Sequence, residues 1–319
     1  MIVTITMNPA VDKSTSTERL VPEKKLRCEE LTVEAGGGGI NVSKALKKLG
    51  GESLAVFPNG GLNGKILETF LDEQQIRYKS IPIEGETREN VVVTETSTNA
   101  QFRFVMPGCE LNEEISNAVI ETLGALPEKP SIIIASGSLP PGVPDDFYAR
   151  IATVARQLNA KYIVDTSGTP LQLAAREGVY LLKPNLTELS KMVGKEKLEL
   201  NEVDDAALEV INSGKCKIIV VSLGPSGALM VTKNGYEHVP APTVKKNTTV
   251  GAGDSMVAGI AWMLTHGKTE REMIRFGVAC GTAATMNSGT QLFDLENVHK
   301  LYDWINKFAD RYKLGFEND

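Results

Sequence analysis

Short apolar runs alternate with amphipathic stretches along most of the chain. Ile2–Met7, closed by Asn8-Pro9, reads as a strand, as do Ser53–Phe57, Ser131–Ala135, Tyr162–Asp165, Tyr180–Leu182 and Lys217–Ser222. Between them, Val42, Ala45, Leu46 and Leu49 recur at i, i+3, i+4, i+7 and stop at Gly50-Gly51, while Phe147, Ile151, Val154, Ala155 and Leu158 make a second helical stripe after Pro144. This alternation predicts an α/β fold: a mostly parallel sheet with helices on both faces.

One region departs from the pattern. Tyr78–Ile83, Asn90–Thr96 and Phe102–Met106 read as strands without intervening helices, and the stretch after Asp12 also lacks a helical stripe. The expectation is a small antiparallel lid sheet, drawn from residues 13–35 and 77–106, over the carboxyl edge of the main sheet. The alternative is that these strands extend the core sheet. With no internal repeat or long linker, residues 1–319 are expected to form one domain.

Composition narrows the function classes. The net charge of −6 argues against nonspecific nucleic-acid binding and requires any anion site to be local. No apolar run approaches the roughly 20 residues that span a bilayer, and Met1-Ile2-Val3-Thr4 lacks the basic start of a signal peptide, so a cytoplasmic protein without membrane partners is expected. Cys28, Cys109, Cys216 and Cys280 lie far apart and read as buried small hydrophobes rather than metal ligands. The three histidines, His238, His266 and His299, fall outside every glycine-rich segment, which leaves a carboxylate as the candidate base.

The strongest chemical signal is Thr249-Val250-Gly251-Ala252-Gly253-Asp254-Ser255. A small-residue turn opens an apolar helix and sets a carboxylate beside inward-facing N–H groups. Gly251, Ala252 and Gly253 would form an anion hole and Asp254 a general base, which suits phosphoryl transfer to an alcohol. In a doubly wound sheet, ligands bind beyond the carboxyl ends of strands. Asp12, after the first strand, is either an acceptor for sugar hydroxyls or a turn carboxylate. Gly36-Gly37-Gly38-Gly39 feeds a helix carrying Asn41, and four glycines suggest close approach of backbone to a ligand. Asn59-Gly60-Gly61-Leu62-Asn63-Gly64-Lys65-Ile66 fails as a P-loop, because Asn59 and Ile66 replace its leading glycine and its hydroxyl; residues 36–41 lack GxGxxG spacing.

Lys24, Lys25, Arg27, Arg88 and Arg103 concentrate in the expected lid and its approach. Strand alternation sets Arg103 on the face opposite Phe102 and Phe104. Lys183-Pro184-Asn185 leads into a helix with Glu188 three residues on, either a magnesium-water carboxylate or a capping box. Ser222-Leu223-Gly224-Pro225-Ser226-Gly227 is a further strand-end loop.

Taken in order, Asn8-Pro9-Ala10-Val11-Asp12, Gly36-Gly37-Gly38-Gly39-Ile40-Asn41-Val42, Ser136-Gly137-Ser138-Leu139-Pro140-Pro141-Gly142, Lys183-Pro184-Asn185 with Glu188, Ser222-Leu223-Gly224 and Val250-to-Asp254 resemble the ribokinase-like PfkB family of sugar kinases nearly end to end. The resemblance is strongest to its hexose-phosphate kinase branch. It implies a ribokinase-like three-layer α/β/α fold with a β lid, and ATP-dependent phosphorylation of fructose 6-phosphate to fructose 1,6-bisphosphate. Tagatose 6-phosphate and fructose 1-phosphate are the competing acceptors, and a non-catalytic sugar-phosphate or nucleotide sensor is the more remote alternative.

The resemblance also implies roles for individual residues. Asp254 would be the base. Asp12, Gly37, Gly38, Asn41 and Ser138 would hold the sugar, and Lys25, Arg88 and Arg103 its phosphate. ATP would lie across Lys183, Asn185, Glu188, Ser222, Gly224, Gly227 and Asn287, with Mg2+ reached from Glu188 through water. Backbone carbonyls of Thr248, Val250, Ala284 and Gly289 would bind K+, although Gln291 stands where arginine is expected. A homodimer formed through the lid rests on the resemblance alone.

Overall fold

The computed structural model describes residues 1–214, 216–287 and 289–309. Its elements in chain order are β1 (Ile2–Ile5), β2 (Ala10–Thr17), β3 (Thr32–Gly36), α1 (Gly38–Lys48), β4 (Ser53–Asn59), α2 (Gly61–Glu73), β5 (Arg77–Pro82), β6 (Arg88–Glu95), β7 (Ala100–Phe104), α3 (Glu113–Gly124), β8 (Ile132–Ser136) and α4 (Phe147–Gln157). There follow β9 (Lys161–Asp165), α5 (Gly168–Glu177), β10 (Leu181–Leu182), α6 (Leu186–Met192), α7 (Val203–Ser213), β11 (Ile218–Ser222), β12 (Ala228–Thr232), β13 (Gly235–Val239), α8 (Ala252–Thr265), α9 (Glu270–Ala284) and α10 (Leu295–Ala309).

Nine strands form the main sheet in the order β13-β12-β11-β10-β9-β8-β1-β4-β5, parallel from β11 to β5 and antiparallel at β12 and β13. Its central strands are continuous apolar runs because both faces are covered. Successive side chains alternate between the faces, so Val3, Ile5 and Ile133 pack with α3, α4, α5, α6 and α7, whereas Ile2, Ile132 and Ile134 pack with α1, α8, α9 and α10. The result is the expected three-layer α/β/α arrangement. Truncating a fully buried residue such as Ile133 to alanine would cost about 2–5 kcal/mol.

A second sheet of four strands, ordered β3-β2-β6-β7, stands off the first. Its outer pairs are antiparallel and its central pair, β2 with β6, is parallel. Two boundaries of the lid differ from expectation. The first lid strand begins at Ala10, directly after β1 and Asn8-Pro9, instead of near residue 13. Arg77–Pro82 belongs to the main sheet, pairing in parallel with β4 from Leu54↔Arg77 to Asn59↔Pro82. The reason is local: β4, α2 and β5 make a βαβ unit, and the absence of a helix after β5 is what gave it the look of a lid strand.

Of the cysteines, Cys216 and Cys280 are buried as expected, but Cys28 is exposed and Cys109 only partly covered. Among the described residues no helix is long and apolar enough to cross a membrane.

Candidate active site

The carboxyl ends of β8, β9, β10 and β11 deliver Ser136, Asp165, Lys183 and Ser222 to one edge. β10 has only two residues, so Lys183 emerges at once, its N–H donating to Val164 O at 3.1 Å. Facing them is the start of α8. Gly251 is its N-cap at φ 72°, a left-handed conformation that favours glycine, and a Cβ there would fall 2.7 Å from Leu292 Cδ2. The first intrahelical bond at this end runs from Ser255 N–H to Gly251 O at 2.9 Å, leaving the preceding amides directed past the helix end, where the dipole favours an anion.

Asp254 sits in this first turn. Asn41 Nδ2 donates to its Oδ2 at 3.0 Å, and Ser136 Oγ donates to its Oδ1 at 3.1 Å. Burial raises its pKa to about 6, helped by the neighbouring Asp165 carboxylate and opposed by Asn41, Lys183 and Ser136. Such a group is ionised at neutral pH yet basic enough to accept a proton. Lys183 Nζ is 3.1 Å from Asp165 Oδ1. Burial alone would lower the lysine's pKa; Asp165, followed by Asp254 and Glu188, turns the net shift upward. A Cβ on Gly253 would lie 3.3 Å from Lys183 Nζ, so glycine lets the ion pair approach the turn.

On the lid side, Asp12 is buried, accepts from Asn90 Nδ2 at 2.8 Å and lies flush against Gly36. The four glycines are packing glycines. A Cβ would meet Asp12 Oδ2 at 2.0 Å from Gly36, Thr6 Cγ2 at 2.7 Å from Gly37, Ser136 Oγ at 2.4 Å from Gly38 and Ile5 O at 2.5 Å from Gly39. They seat α1 against the ends of β1 and β8, which carries Asn41 to Asp254.

Other expected residues are placed differently. Ser138 is exposed, and the serine on Asp254 is Ser136, two residues earlier. Arg88 donates to Met106 O at 2.6 Å and Asn8 O at 3.0 Å, leaving its buried Nε without a partner. Lys25 is exposed in the loop between β2 and β3. Arg103 lies opposite Val92, on the cleft face of the lid and away from Phe102 and Phe104 as alternation required, but it donates to Thr249 Oγ1 beside the anion turn. Thus Arg103 ties the lid edge to the Thr248–Thr249 loop, as does Gln101, which donates to Asn247 O at 3.4 Å.

A cavity of about 470 Å³ opens beside the turn, lined in part by Ser222, Gly224, Gly227, Ala252, Gly253 and Thr282. Asn185 and Glu188 form a capping box on α6, Asn185 Oδ1 accepting from Glu188 N–H at 2.9 Å and Glu188 Oε2 from Asn185 N–H at 2.8 Å. Asn287 lies apart from the cavity wall, its Nδ2 donating to Leu292 O. Asn247 and Thr248 N–H both donate to Thr285 O, which brings the Thr248–Val250 segment to the end of α9 near Ala284, whereas Gly289 packs on Ser14 of the lid.

The pfkB family carbohydrate kinase model matches residues 1–297. The chain belongs to this family. It is 41% identical over 307 residues to the ATP-dependent 6-phosphofructokinase isozyme 2 of Escherichia coli, covering 96% of this chain and 99% of the relative. The isozyme 2 of Mycobacterium tuberculosis is 38% identical, with 95% and 89% covered. Crystal structures of phosphofructokinase-2 from E. coli superimpose with a TM-score of 0.91 for its potassium complex (41% identity) and 0.90 for its fructose-6-phosphate complex (40% identity), each covering 96% of this chain and 99% of that one.

For a pfkB kinase the charges at this edge fit a divalent cation shared with nucleotide phosphates. Burial raises the Glu188 pKa, its capping bond from Asn185 and the charge of Lys183 oppose this, and Asp165 adds to it, so two carboxylates share one field. Mg2+ is commonly held by one or two carboxylates, water and phosphate oxygens. Ser136 heads a motif whose expected sugar contact was Ser138, and Asp165 carried no expected role; both are terminal residues of their strands.

Proposed function

We propose that the chain transfers the terminal phosphoryl group of ATP to the 1-hydroxyl of fructose 6-phosphate, giving fructose 1,6-bisphosphate and ADP. The observation carrying this reading is the half-buried Asp254 carboxylate, oriented by Asn41 and Ser136 at the mouth of the α8 anion turn and faced by the Lys183–Asp165 pair. The identity to 6-phosphofructokinases over almost the full chain supports the acceptor.

ATP lies with its base toward Gly224 and Gly227 and its terminal phosphate against the amides of Gly251 to Asp254. Lys183 offsets phosphate charge, and Glu188 would hold Mg2+ through water; the cation would neutralise charge on the phosphates. Asp12, Asn41 and the Gly37–Gly38 backbone orient the sugar, with Arg88 and Lys25 serving its phosphate. Asp254 takes the proton of the attacking hydroxyl, and the hole's N–H groups stabilise the moving group. Backbone carbonyls of Thr248, Val250, Ala284 and Gly289 would hold K+. Leu31, Phe102, Phe104, Val105 and Met106 leave apolar surface on the lid, which supports a homodimer formed there.

The test compares kcat/KM for fructose 6-phosphate, tagatose 6-phosphate and fructose 1-phosphate with ATP as donor. Preference for another acceptor would reassign the substrate, and no ATP consumption with any of the three would leave the sensor reading in its place.

A further inference from the structure

Helix α1 carries three lysines. Lys47 and Lys48 reach the surface, whereas Lys44 is 5% exposed and lies at the root of the lid. An unpaired ammonium there would be several kcal/mol unfavourable, so its surroundings bear on function. Its Nζ donates to Ala35 O at 2.8 Å, at the end of β3. The next residue, Gly36, is the one pressed against the Asp12 carboxylate.

Asp12 and Glu34 are register partners on β2 and β3, so two carboxylates stand side by side on the cleft face of the lid. Like charges directly opposite each other are destabilising. Glu34 accepts from Thr290 Oγ1, which orients it without neutralising it. The charged groups acting on Asp12 are Lys44 from α1, Arg88 from β6 and Glu34 from β3. Burial lowers the Lys44 pKa; Glu34, Asp12 and Asp254 work against that fall and Lys48 adds to it. Burial raises the Asp12 pKa, and Asn90, Lys44 and Arg88 work against that rise.

Building on the proposed function, we infer that Lys44 is a positioning residue of the acceptor subsite: its ammonium compensates the Asp12–Glu34 pair and pins the Ala35 carbonyl, holding the Asp12 carboxylate toward the sugar hydroxyls. Lys44 touches neither substrate. Its effect is therefore selective for the sugar phosphate over the nucleotide.

The experiment is calorimetric titration of the full-length protein with fructose 6-phosphate alone and, separately, with MgATP, across pH. Lys44→Met is expected to weaken fructose 6-phosphate about tenfold or more, the equivalent of about one pKa unit of lost interaction, and to leave MgATP within about twofold. Because loss of the ammonium lets the Asp12 pKa rise further, the pH below which sugar binding fades should move upward in the variant. Lys44→Arg should restore binding. Glu34→Gln/Lys44→Met, which keeps the wild-type net charge of the cluster, should recover part of it.

Unchanged sugar affinity in Lys44→Met, or equal losses for both ligands with no shift in the pH profile, would overturn the inference. If Lys44→Met does not fold, the double variant decides: folded and binding the sugar it supports charge compensation, unfolded as well it refutes it. Wild-type protein that binds no fructose 6-phosphate would sink the functional reading first, an outcome distinct from wild-type binding with an indifferent variant.

Discussion

Asp254→Asn should slow the enzyme and stabilise it at once. The ionised carboxylate is held at a pKa of about 6 against 3.8 for a free aspartate, chiefly by burial. A folded-state pKa raised in this way favours the protonated fold, so the benefit is present below the unfolded value and is lost as pH rises through about 6. At neutral pH the charged group is therefore unfavourable by up to about 3 kcal/mol, and asparagine, which keeps the shape and can still meet Asn41 and Ser136, relieves about 1–3 kcal/mol of it. Thermal unfolding should report a higher Tm than wild type. In the same protein, kcat should fall by about 10²- to 10⁴-fold, the usual worth of a positioned general base, with KM for fructose 6-phosphate changed only a few-fold. ADP release followed with a coupled assay measures both constants. In wild type, kcat/KM should decline about tenfold per pH unit below about pH 6 as the base protonates, and Asp165→Asn, by removing a charge that raises the Asp254 pKa, should move that limb to lower pH. Retained kcat in Asp254→Asn would refute the general-base assignment, whereas a rate loss accompanied by a lower Tm would mean that the variant had merely damaged the fold.

Lys183→Met should raise KM for ATP at least about tenfold and destabilise the fold by about 1–3 kcal/mol, since Asp165 is left as a half-buried charge without its partner; steady-state kinetics and chemical denaturation check the two separately. Gly251→Ala forces a side chain into a left-handed φ of 72° and toward Leu292. A stability loss of about 1–3 kcal/mol with a greater fall in kcat than in ATP affinity is expected, and an unaffected kcat would show that the turn tolerates displacement. Phe104→Asp, at an exposed lid position, should shift the protein to monomer in sedimentation velocity; an unchanged mass would remove the lid from the interface.

The parallel sheet was legible because its strands are buried on both faces and therefore read as uninterrupted apolar runs, as in Ile132-Ile133-Ile134-Ala135. Legibility failed where pairing partner, not composition, decides the role. Arg77–Pro82 and Arg88–Glu95 follow each other without a helix, yet one extends the core and the other builds the lid. The difference lies in α2, whose stripe of Leu67 and Leu71 packs beneath β4 and brings β5 alongside it. The hairpin of β12 and β13 turns at Lys233-Asn234, with Gly235 opening the return strand, and its first strand is buried throughout.

At the candidate site, the carboxylate beside the glycine turn was legible in the sequence, whereas Ser136 and Asp165, which act on it, had no expected role there. Asp254 announces itself because two glycines and a helix start surround it in sequence. Ser136 and Asp165 are 118 and 89 positions away (254 − 136 and 254 − 165) and become neighbours only through the order β9-β8-β1 and the docking of α8 behind it. The glycines of residues 36–39 show the converse: their number is visible, but its cause is the tight seat of α1 on β1 and β8. That seat is what brings Asn41 within 3.0 Å of Asp254. A run that reads as a ligand loop thus acts on catalysis through packing, and enlarging Gly38 should move Asn41 and Ser136 away from the base before it obstructs any substrate.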